Sequence, residues 1–82
     1  MSLTQRFMME SEDIQDRASV IGWIDDDTER FKAVQELFAE CGEMAQAYAD
    51  PLAVARLFVG KVTDAFYAAR AVARACRSEA VG

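Results

Sequence analysis

The sequence predicts an all-α protein, a small helical bundle of two long antiparallel helices plus an N-terminal helix or arm. Apolar residues recur at spacings of three and four, and no stretch alternates long enough to suggest a strand. Asp50-Pro51 is a strong helix start, because Asp caps backbone N–H groups and Pro fits the first turn. The apolar arc of the segment that follows is too wide for a single neighbour to cover.

The front of the chain predicts a helix over 12–24. Ser11 is the expected N-cap, and Ile14, Val20, Ile21 and Ile24 are the apolar positions. Residues 2–9 add a further helical turn or a loose arm, in which Phe7, Met8 and Met9 either cover the end of the core or form an adaptable docking surface. Val20 and Ile24 share a heptad register with Phe31 and Val34, so one bent helix from Glu12 to Tyr48 is the rival reading. A break at Asp25–Thr28 is preferred.

A second helix is expected over 28–48. Phe31, Val34, Phe38, Cys41, Ala45 and Tyr48 make its apolar seam, widened by Leu37 and Met44. Glu29, Glu36, Glu40 and Glu43 form its wet side. The third helix, 51–78, carries Ala55, Val59, Val62, Phe66, Ala69, Ala73 and Cys76 on one stripe, at 100° per residue. Phe58, Ala65 and Val72 widen that stripe beyond half the circumference. This helix is therefore central in the fold, or part of its face belongs to a second subunit.

At 82 residues the chain is read as a single domain, 1–82, without repeats or linkers. A chain of this size buries roughly 60% of its unfolded surface. Its net charge of −5 is unevenly spread: residues 1–50 carry twelve Asp/Glu against four Lys/Arg, and residues 51–82 two against five. The acidic whole disfavours general nucleic-acid binding, whose affinity comes mostly from neutralised phosphates. The opening MSLTQRFMMESED predicts no signal peptide, and charges interrupt every apolar run before a membrane span is reached. Two cysteines, Cys41 and Cys76, are too few for a secreted disulfide scaffold. The expectation is a cytoplasmic protein with reduced thiols.

The stretch WIDDDTERF concentrates charge in Asp25, Asp26 and Asp27. Asp25, Asp27, Glu29 and Glu36 match acidic positions of a calcium-binding loop, but the position that must be Gly for the sharp turn is Arg30. The alternative is a helix cap, with Asp26 at N-cap and Glu29 at the capping-box position. The other carboxylates then lie at the positive end of the helix dipole.

Catalysis has little to work with. There is no histidine, and Gly22, Gly42, Gly60 and Gly82 are isolated, so no phosphate loop forms. Both cysteines fall on apolar faces, which suits inert thiols. Glu36, Glu40 and Glu43 share a face, but a carboxylate-bridged metal bundle would need Glu-x-x-His pairs pointing inward. No cofactor, metal or enzymatic activity is expected.

Arg56, Thr63, Tyr67, Arg70, Arg74 and Arg77 lie within about 80° on the last helix. They would contact nucleic acid or an acidic protein, or complement the acidic half of the same chain. If the two long helices fold back at Asp50-Pro51, residue i lies level with roughly residue 101 − i. Lys61 then faces Glu40, Arg56 faces Glu43, and Arg70, Arg74 and Arg77 surround the aspartates. Ala65 and Ala69, with Phe58 and Val72, are the candidate seam of a homodimer.

The leading functional expectation is a non-enzymatic protein-interaction module: a small acidic adaptor or inhibitor, of the kind phages and plasmids encode, occupying a partner's surface. Asp25, Asp26, Asp27, Glu36, Glu40, Glu43, Arg70, Arg74 and Arg77 are its candidate contact residues. The alternatives are a DNA-binding or nucleoprotein-accessory protein using the arginine face, and a self-assembling helical dimer.

Overall fold

A computed structural model describes residues 2–81, with side chains up to Ser78. Three helices follow in order: α1 (Leu3–Gly22), α2 (Asp27–Ala45) and α3 (Pro51–Val81). Helix α1 begins nine residues before the expected start. Its N-cap is Ser2, whose Oγ accepts from the Gln5 N–H while the Gln5 side chain accepts from the Ser2 N–H. Residues 3–9 are thus helix, not a loose arm. Ser11 lies mid-helix and is buried.

The break between α1 and α2 is real. The N–H groups of Trp23 and Ile24 bond to carbonyls three residues back, tightening the end of α1. Asp26 then caps α2, its Oδ2 accepting from the Glu29 N–H at 2.8 Å. Arg30 ties the link down, donating to the carbonyls of Ile24 (2.9 Å) and Asp25 (3.3 Å) and pairing with Asp27. The residue that spoils the calcium-loop spacing is the one that holds this turn.

Helix α2 ends at Ala45 rather than Tyr48. The N–H groups of Gln46, Ala47 and Tyr48 switch to carbonyls three residues back, so the chain tightens for one further turn. Asp50 caps α3 as expected, accepting from the Ala53 N–H at 3.2 Å.

Phe7 on α1 stacks on Phe58 of α3 (centroids 5.4 Å apart), and Gly22 packs on Ala69. Helices α1 and α3 therefore run parallel, with α2 antiparallel to both. The fold-back at Asp50-Pro51 brings Val34 and Phe38 of α2 to one cavity with Val62, Thr63, Phe66 and Tyr67 of α3, the residues that a 101 − i register sets level with them. Helix α3 packs against both neighbours, most extensively against α1. Its 31 residues, about 46 Å of helix, span most of the 50 Å long axis.

The core comprises Ile14 and Ala18 of α1, Leu37 and Cys41 of α2, and Phe58 and Val62 of α3. Phe7, Tyr48 and Phe58 close one end as an aromatic cluster, Tyr48 lying edge-on to both others. Five expected apolar-face positions lie outside: Val20, Phe31, Val59, Val72 and Cys76 are exposed. For Phe31 the cause is drift, because a seven-residue repeat rotates about 20° per heptad around a straight helix. Ala45 is buried, Phe38 is partly buried and Phe31 is 65% exposed along the same seam.

Candidate functional site

Helix α1 takes partners that a two-helix register would have given to α3. Glu40 pairs with Arg17 of α1, not with Lys61. Arg17 also reaches Asp13 at 3.6 Å, and its hydrogen bond to Glu40, ahead of the other influences, raises the guanidinium pKa further. Lys61 instead lies 5.9 Å from the centroid of the Phe7 ring. Arg56 and Glu43 make no ion pair among the described residues.

The triple aspartate is divided among internal tasks. Asp25 pairs with Arg77, Asp26 caps α2, and Asp27 pairs with Arg30. Arg70 donates to the Gly22 carbonyl at 3.1 Å, satisfying an orphan acceptor at the end of α1. Of the arginine stripe, Arg70 and Arg77 thus have intrachain partners, whereas Arg56 and Arg74 are exposed. No group of three or more metal-ligating side chains occurs among the described residues. Among the described residues no helix is long and apolar enough to cross a membrane.

The candidate dimer seam is largely interior. Phe58 (fully buried) and Ala69 (7% exposed) face the chain's own core, and Ala65 packs against it. Val72 is the one exposed member. Two neighbours within the same chain cover much of the wide arc of α3, while Val59, Val72 and Cys76 on it are exposed.

Two open grooves remain on roughly opposite flanks of α2. The first, about 390 Å³, runs between α1 and α2 over Val20, Ile21 and Ala33, with Asp16, Glu36 and Glu40 around it. Arg17 is its one lining cation, and Glu40 and Asp13 already engage it. Glu43 lies one turn beyond Glu40 on the same side, exposed. Asp16 escapes a sequence reading and Val20 reads there only as a core position, because only the antiparallel placement of α1 brings them to a groove with Glu36.

The second groove lies between α2 and α3. Phe31, Val34, Phe66 and Tyr67 line a space of about 600 Å³ near the triple aspartate. A smaller one of about 110 Å³ continues it along Phe38, Val62 and Thr63. Phe31 and Tyr67 are 65% and 66% exposed.

The two thiols differ. Cys41 is fully buried, and that burial raises its pKa, so it is a poor nucleophile. Cys76 is exposed. Compared with family models, with curated proteins and with solved structures, the chain finds no match.

Proposed function

We propose that the protein is a non-enzymatic interaction module, a small acidic adaptor or inhibitor that occupies a basic surface of a partner protein. The observation that carries this reading is the α1–α2 groove, where Asp16, Glu36 and Glu40 surround an apolar floor and the only lining cation is already engaged. The aspartates of WIDDDTERF contribute less than their number suggests, since Arg77 and Arg30 offset two of them. The residual negative charge is thereby concentrated on α1 and α2, with Glu43 extending the acidic side. A potential of one sign over a partly apolar groove steers a cationic partner and then lets it bury surface. Lys32, one turn before Glu36, makes no ion pair among the described residues.

Affinity capture with native protein and with the triple variant Asp16→Lys, Glu36→Lys, Glu43→Lys tests this. A stoichiometric partner should be retained at low salt, released by high salt and lost from the variant. Identical recovery by both proteins, or no partner at all, would overturn the reading.

A further inference from the structure

We propose that the outer face of α1 receives a basic amphipathic helix of the partner protein, an inference that deepens the reading above and rests on it. At 100° per residue, Met9, Glu12, Asp16 and Val20 fall within about 80° of one another, so they form one row along about 17 Å of α1. All four are exposed, Met9 at 57% and Val20 at 69%. Trp23, half-exposed, stands one turn beyond Val20 at the end of the helix. The row thus has large apolar side chains at both ends and two carboxylates between them. Neither Glu12 nor Asp16 makes an ion pair among the described residues. Glu12 lines an open hollow of about 450 Å³ with Gln5, Met8 and Met9, and Asp16 lines the α1–α2 groove with Val20. The one cation lining either is Arg17, which Glu40 and Asp13 already hold. Lys32 lines neither.

This order of side chains specifies the occupant. Exposed Met and Trp are adaptable, area-rich anchors for a partner. Their complement is a helix with large apolar residues three turns apart and Lys or Arg on the turns between. Laid along α1, it would have Glu36 and Glu40 of α2 as a second wall and would add a fourth helix to the bundle. A helix with an apolar or acidic centre is rejected, because it would leave Glu12 and Asp16 covered and unpaired. A second copy of this chain fits less well. An antiparallel two-fold contact would set Met9 against Val20 but Glu12 against Asp16, carboxylate on carboxylate. Nucleic acid and an anionic membrane meet the same repulsion.

The test is selection of a displayed library of 18-residue helices, randomised on one face, against the full chain. Enriched sequences should carry Lys or Arg between large apolar residues three turns apart. Their binding should weaken at least tenfold in Asp16→Lys and in the double variant Met9→Ala, Val20→Ala, all exposed positions where circular dichroism checks the fold. Enrichment of Asp or Glu, binding that ignores the double variant, or no saturable binder would overturn the proposal. So would a dimeric mass in light scattering that the double variant abolishes, which would give the face to a second copy. Affinity capture separates this proposal from the reading beneath it. A partner lost from the triple lysine variant but retained in full by the double alanine variant overturns the α1 face alone, whereas capture of no partner overturns the reading itself.

Discussion

The carbonyl oxygen of Gly22 accepts a hydrogen bond from Arg70, while a Cβ on Gly22 would lie 2.6 Å from the Cβ of Ala69. One turn of α3 therefore both completes the end of α1 and presses against it. The same hypothetical Cβ would meet the Phe66 carbonyl at 3.0 Å, and that backbone atom cannot move aside cheaply.

Gly22→Ala should accordingly destabilise the fold by about 1–3 kcal/mol through overpacking, despite the better helix propensity of alanine. At Gly42 and Gly60 an added Cβ meets nothing within 4 Å. Gly42→Ala and Gly60→Ala should each raise stability by about 0.5–1 kcal/mol. Urea denaturation of the three variants should give opposite signs, and a uniform gain would show that α1 does not approach α3 so closely.

Ser11 is buried with a hydroxyl oxygen that has no hydrogen-bond partner. Ser11→Ala removes an unsatisfied polar group and suits a helix interior better. It should stabilise by about 1 kcal/mol. A helix starting at Glu12 would instead lose a cap and be weakened, so the sign of the change separates the two structures.

Tyr48 donates its hydroxyl to Glu10 inside the aromatic cluster, and burial first, then that carboxylate, push its pKa up to about 12. The neutral phenol is favoured in the fold, so the stabilisation is complete below the ordinary tyrosine pKa of about 10 and is lost as pH rises toward 12. In a Tyr67→Phe background, the remaining phenolate absorbance should appear near the raised value. Across the same window, that protein should lose more stability than its Tyr48→Phe derivative.

Arg77 and Asp25 form an exposed pair, with side chains 51% and 77% accessible. Arg77→Ala should cost no more than about 1 kcal/mol, and salt should shrink that cost. A larger loss in thermal denaturation would mean that the pair does more than fix the position of the turn.

Much of α2 and α3 is legible in the chain. Asp26 and Asp50 cap both helices, and a fold-back at Asp50-Pro51 sets Val34 and Phe38 around one cavity with Val62 and Phe66. Helix α1 is harder to read, because Ser11 before Glu12 and Asp13 has the same local signature as a cap. Ser2 and Gln5 also carry a capping-box spacing, and tertiary burial of Ser11 decides between them. The acidic groove is less legible still, since pairing Arg17 with Glu40 requires a third helix that a two-helix register omits. Exposure of Phe31 follows from a rotation of the seam too small to see in spacings of three and four.

The parallel pairing of α1 with α3 also has a kinetic side. Phe7 and Phe58 are 51 positions apart, and Gly22 and Ala69 are 47 apart, so the most extensive packing surface joins the most distant segments. The α2–α3 hairpin closes over a short turn, whereas α1 must wait for a long loop to be ordered. During synthesis, α1 and α2 leave the ribosome well before α3, with Ile14, Leu37 and Cys41 still uncovered. The chain therefore depends on its last third to bury what its first two-thirds expose.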